Sequence, residues 1–237
     1  DILRRANDAP YDIEAVTEEK CFGPGFAGET RVRLFDDAGV AVSCGEYLRL
    51  LAVDRARRRR GIGSALLRDA APRVIAAEPG NYFTPGVPEA MAGFFTDRGF
   101  RETAKTWNLH AELQAGDAVR TPFRTDLSDE LLAFVRREFG KIWSFEVSRA
   151  RSVFWIENVG FAAVEANNRG LGTFGPTGVA KGMRGRGHGR ELLRAALAGL
   201  SGFGYERAVI QWTGAVEFYR RSCGAEPAHR FATLTAC

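Results

Sequence analysis

Histidine and cysteine are scarce in this 237-residue chain, and long apolar runs are missing. The three histidines, His110, His188 and His229, lie far apart with no metal-ligand spacing, so metal chemistry has no support. Cys21, Cys44, Cys223 and Cys237 form no CxxC pair, which fits reduced thiols in the cytoplasm and implies no disulfide framework. No apolar stretch approaches the roughly 18 residues that span a bilayer, and no basic-then-apolar leader follows Asp1. A soluble, cytoplasmic protein without a membrane partner is expected. Gly-Lys-Ser and Gly-Lys-Thr are absent, which excludes a Walker-type nucleotide site, and no Gly-x-Ser-x-Gly elbow marks a serine hydrolase.

What is present is an ordinary globular composition, 45% apolar and 26% charged, with a formal charge of +4. Much of the positive charge sits in two glycine-punctuated loops, Arg57-Arg58-Arg59-Arg60-Gly61-Ile62-Gly63 and Arg184-Gly185-Arg186-Gly187-His188-Gly189. Such concentration points to a compact anionic ligand and away from nucleic acid. Ile2 to Ala6 reads as a short strand and Ala9 to Phe22 as a short helix or a pair of helices. Arg31 to Val53 then alternates as an antiparallel meander with a turn at Asp37-Ala38-Gly39. Ile62, Leu66, Leu67 and Ala70 continue at helical spacing until Pro72. Asn81 to Thr84 reads as a strand, Pro88 to Arg98 as a helix stopped by Gly99, and Thr106 to Leu113 as a closing strand.

After a polar break at Ala115-Gly116-Asp117 the same order begins again. The readings are a strand near Val119 to Phe123, a helix from Ser128 to Phe139, and strands at Phe154 to Asn158, Phe161 to Ala166 and Gly172 to Val179. A helix from His188 to Leu200, a strand from Ala208 to Trp212 and a helix from Val216 to Ser222 follow. An offset of 126 carries Val53, Arg58, Leu66 and Leu67 onto Val179, Arg184, Leu192 and Leu193, all identical. Phe94-Phe95 falls on Phe218-Tyr219 at an offset of 124. The period is one domain long, so the chain reads as two fused copies of one fold, residues 1–114 and 115–237.

Each loop has the chemistry of a phosphate cradle. Glycines at 61, 63, 187 and 189 let backbone N–H groups converge on an oxygen, and the start of a helix adds unsatisfied donors and the positive end of its dipole. One copy alone reads equally well as a solvated basic turn; two copies in matching contexts favour the anion site. The dinucleotide fingerprint is not met, because position 190 is Arg190 and a meander precedes each loop where that motif needs a βαβ unit.

These residues resemble the GCN5-related N-acetyltransferase (GNAT) superfamily, whose loop reads Arg/Gln-x-x-Gly-x-Gly/Ala. Arg58 to Gly63 and Arg184 to Gly189 both match, and the doubled pattern is similar to the tandem acetyltransferases of the mycothiol synthase type. The resemblance implies an α/β fold with two domains, each a mixed, mostly antiparallel sheet flanked by helices. It also implies acetyl-CoA as acyl donor, no metal, and direct transfer to a small-molecule or peptide amine, in a monomer or homodimer. Leu51, Val53 and Val179 fall where the family's fourth strand meets the pantetheine arm. Arg58, Arg59, Gly61, Ile62, Gly63, Arg184, Gly185, Arg186, Gly187, His188 and Gly189 fall in the pyrophosphate loops. Tyr219 takes the place of the family's proposed acid, and Phe95, its counterpart, cannot donate a proton, which directs chemistry to the second half. Glu165 is the first choice for a general base, Glu157 the second, and Glu46 the equivalent in the first half. Trp143, Trp155 and Trp212 either line an acceptor pocket or fill the core. The competing expectation is a CoA-binding sensor or scaffold with one or both halves non-catalytic.

Overall fold

The alternation from Arg31 to Val53 forms three strands because each residue pair finds a cross-strand partner at period two. In this computed structural model, which describes residues 1–6, 12–114 and 123–237, they are β1 (Thr30–Phe35), β2 (Gly39–Cys44) and β3 (Tyr47–Val53). Phe35 pairs with Gly39 across the first hairpin and Cys44 with Tyr47 across the second, both antiparallel. The expected break at Ala115–Asp117, the strand near Val119 short of Phe123, and the start of the first helix at residues 9–11 lie outside the described residues.

The described residues divide into two compact units, Asp1–Trp107 with His229–Cys237, and Asn108–Ala228. In the first unit, residues 2–6 form the short helix α1 (Ile2–Ala6) and not a strand, with Leu3 and Ala6 on its buried side. Helix α2 (Ile13–Phe22) opens on Asp12, whose carboxylate accepts the Glu14 N–H. After β3 come α3 (Ile62–Ala70) and a two-residue parallel strand, β4 (Val74–Ile75). The strand expected at Asn81–Thr84 is instead irregular chain, buried throughout. Polar partners stabilise that buried loop. Asn81 accepts from Lys20 Nζ at 2.7 Å, and Glu78 accepts from Arg49 Nη2 at 2.9 Å, with all four side chains out of solvent. Short β5 (Val87–Pro88), helix α4 (Ala92–Thr96) and the start of β6 (Phe100–Glu112) follow. The last strand, β11 (Glu226–Ala236), pairs antiparallel with β4 and β5. Sequence order places residues 229–237 with the second half, but Phe231, Ala232 and Leu234 are wholly buried, and the latter two join the core of Leu48, Ile62, Leu66 and Phe95.

In the second unit α5 (Asp129–Phe139) begins at Ser128, whose hydroxyl accepts the Leu131 N–H, as expected. Gly140, at φ 98°, turns the chain into α6 (Lys141–Ser148), a helix that weak periodicity hid from the sequence reading. Strands β7 (Ser152–Ile156), β8 (Gly160–Val164) and β9 (Thr173–Val179) form an antiparallel meander. Helix α7 (His188–Gly202), parallel strand β10 (Arg207–Thr213) and helix α8 (Val216–Cys223) complete it. Leu131, Phe134, Val147, Trp155 and Phe161 form its core under α5 and α6. Each unit is thus a mixed, mostly antiparallel sheet flanked by helices.

Candidate functional site

The two basic loops open helices that have no side-chain cap. Gly61 and Gly187 are the N-cap residues of α3 and α7, at φ 81° and 90°, a left-handed geometry that glycine adopts without penalty. Gly61 and Gly187 supply no capping side chain, unlike Asp12 of α2 and Ser128 of α5, so both N-termini offer donors and a positive dipole end to an anion. The motif arginines fold back and brace the loops. Arg58 Nε donates to the Val53 carbonyl at 3.1 Å, and Arg184 Nε donates to the Val179 carbonyl at 3.0 Å. Arg59 and Arg186 are exposed at the loop surface, where they add positive charge. His188 Nδ1 lies 3.5 Å from Glu191 within the first turn of α7. Gly63 and Gly189 are helical, and a Cβ at each would meet corresponding groups: Phe94 and Val53 for Gly63, Phe218 and Val179 for Gly189. The repeat read from the sequence is therefore a repeat in space.

Upstream of each loop the parallel strands pair only at their beginnings. β3 and β4 are matched at Tyr47↔Val74 and Leu48↔Ile75, and β9 and β10 at Thr173↔Val209 and Phe174↔Ile210. Beyond those pairs Leu51 to Val53 and Gly175 to Val179 are half-buried. The parallel pairing with β4 and with β10 does not extend to them. Tyr219, on α8, sits at the base of the second opening, with its ring 5.9 Å from that of Phe174. Burial pushes its phenol well above the usual range, and among the described residues its hydroxyl has no hydrogen-bond partner. Phe95 holds the corresponding place on α4. Its ring lies edge-on to Phe94 at 5.0 Å, as Tyr219 does to Phe218. In the first unit the opening widens into a cavity of about 760 Å³, lined among others by Arg58, Gly61, Gly63, Ser64, Phe94 and Phe95.

Residues 117–225 match the Acetyltransferase (GNAT) family, and residues 34–109 match the Acetyltransferase (GNAT) domain. The chain belongs to the GNAT acetyltransferase family. Its fold is similar to a tandem GNAT protein from the clavulanic acid biosynthesis pathway, at 18% identity and a TM-score of 0.67, over 98% of this chain and 89% of that one. It is also similar to a GCN5-related N-acetyltransferase from Sphaerobacter thermophilus, at 17% identity and a TM-score of 0.58, over 84% of this chain and 81% of that one. A third likeness, at 20% identity and a TM-score of 0.61 over 86% of this chain, is to a GCN5-related glucosamine N-acetyltransferase region in a fungal multi-domain GH3 β-N-acetylglucosaminidase. This chain spans 30% of that protein's length. No curated protein matches the chain in sequence.

The other expected site residues are dispersed around these two GNAT clefts. Glu165 is buried at φ 52°, with its Oε1 accepting the Gly170 N–H at 2.7 Å, the Gly172 N–H at 3.2 Å and the Tyr205 hydroxyl at 2.6 Å. Its Oε2 accepts from Arg151 at 3.0 Å. Four hydrogen bonds hold this carboxylate, so the geometry makes it a clamp on the β8–β9 loop. Glu157 is exposed on the fringe of the Arg124 cluster, and Glu46 lies near Arg73. Trp155 is core and Trp143 stacks on Phe139, while Trp212 is 41% exposed. Sequence reasoning missed that Phe139 packs where a Cβ on Gly178 would sit, 2.5 Å away, which ties α5 to the open arm of β9. Among the described residues no group of three or more His, Cys, Asp or Glu could hold a metal, and no helix is long and apolar enough to cross a membrane.

Proposed function

We propose that the second unit transfers an acetyl group from acetyl-CoA to an amine, and that the first unit holds CoA without turnover. One observation carries the reading: two glycine-started helices without a side-chain cap each follow a parted strand pair, and among the described residues only the second has a phenol at the base. Acetyl-CoA would supply an activated thioester whose acetyl group passes to the amine while its sulfur takes up a proton. The N–H groups of His188 and Gly189 would bind its pyrophosphate, and the free edge of residues 175–179 would align its pantetheine arm. Tyr219 stays protonated at neutral pH because burial disfavours the phenolate, which suits it to donate a hydrogen bond to the departing sulfur. With Glu165 occupied, no side-chain base is assigned, and the acceptor enters as its free amine.

The cavity in the first unit favours the second part of the proposal. Space for a ligand lies beside the Gly61 helix start, yet Phe95 stands where proton donation would be needed. Thiol release from acetyl-CoA against a panel of amines tests transfer. The expected result is release whose rate rises with pH towards the amine's own pKa and falls about a hundredfold in Tyr219→Phe. Unchanged release in that variant contradicts the role of Tyr219.

A further inference from the structure

Both units turn left-handed just past the parallel strand pair, but with very different side chains. In the first unit, Leu48↔Ile75 is the last pair, and Ala76 and Ala77 follow at φ 56° and 52°. In the second, Phe174↔Ile210 is the last pair, and Trp212 stands two residues on at φ 49°. A bulky residue is a clear outlier in this region of backbone space, and such residues persist only where the surroundings enforce them. Asn108 is one of the groups that hold Trp212. Its side chain is fully buried, and its carboxamide oxygen accepts the Trp212 N–H at 3.0 Å. The next residue, Thr213, is buried too, and its hydroxyl accepts the Ala215 N–H at 3.0 Å, which starts the turn into α8 and Tyr219. The unit with the phenol is thus also the one that carries an exposed tryptophan on the parted arm of β10, ahead of the turn into α8.

We infer that Trp212 determines acceptor specificity as a stacking platform for a ring-bearing amine, either an amino sugar or an aromatic amine. This rests on the proposed transfer in the second unit. A rigid ring covers an indole face without the loss of chain freedom that an open-chain amine would suffer. A polycation is less suited. The chain from Thr213 to Val216 that follows the indole carries no carboxylate, and the next one along it, Glu217, pairs with Arg220 at 2.7 Å.

The test uses the full ¹⁵N-labelled chain with CoA bound, titrated with glucosamine, tyramine or, as the open-chain control, 1,5-diaminopentane. The Trp212 indole N–H resonance is assigned by its loss in Trp212→Phe. Saturable movement with glucosamine alone identifies an amino-sugar platform, and with tyramine alone an aromatic-amine platform; either supports the inference, as do both together. Trp212→Ala is then expected to weaken the ring amine by about tenfold or more, with Trp212→Phe retaining most affinity and both keeping the affinity for CoA. No movement with either ring amine, or equal movement with diaminopentane, overturns it. The readout is binding, so a ring amine that binds without thiol release counts against the proposed transfer and not against the platform.

Discussion

Tyr219 and Glu165 show how similar sequence signals part company once neighbours are known. Both are polar residues at the edge of apolar segments. Tyr219 has no hydroxyl partner among the described residues and packs on Phe174, whereas Glu165 accepts four hydrogen bonds. Glu165→Gln is expected to cost about 1–3 kcal/mol of stability, read by chemical denaturation, because it weakens bonds to a buried charged acceptor. Thiol release per folded molecule is expected to persist, and its loss would return Glu165 to the chemistry. The position of Tyr219 on its helix was legible because it aligns with Phe95 in the internal repeat. The fate of Glu165 was not, since Gly170, Gly172 and Tyr205 reach it only through the fold of a loop and of a strand connection 40 residues away.

At the scale of elements, the helix starts at Gly61 and Gly187 were fully readable, because glycine spacing and the following apolar period act locally. The route between β4 and α4 was not. Tyr82 and Phe83 look like strand residues, yet they lie in irregular chain whose position depends on Lys20, Arg49, Glu78 and Asn81 meeting from distant segments. Glu78→Ala would leave the buried Arg49 guanidinium without its counter-charge, an expected loss of about 3–5 kcal/mol. A thermal melt of that variant within a degree of the parent would contradict this. The second unit spends its residues otherwise, with 15 in α7 against 9 in α3 and only a short turn before α8. That difference leaves the exposed Trp212 where the first unit has its buried loop.

For the whole molecule, the repeat announced two domains, but pattern alone could not show that residues 229–237 belong to the first unit. Strand partnership is a long-range property, and β11 alternates like any other strand. Alkaline stability is a global consequence of the raised phenols. Burial, with the Glu165 hydrogen bond second, pushes Tyr205 up to about 12, and burial pushes Tyr219 higher still. Their contribution is fully present below the unfolded phenol value of about 10 and is lost as pH rises through the folded values. Denaturation midpoints are therefore expected to hold up to about pH 9.5 and to decline by pH 11, and a midpoint that rises over that interval would contradict the assignment.

The most direct measurement of the central claim is native mass spectrometry of the chain with acetyl-CoA, combined with thiol release, before and after Gly63→Glu and Gly189→Glu. The account predicts two bound cofactors per chain, one in either variant, and no thiol release in Gly189→Glu. A chain that binds no acetyl-CoA, or release that survives Gly189→Glu and disappears in Gly63→Glu, would contradict it.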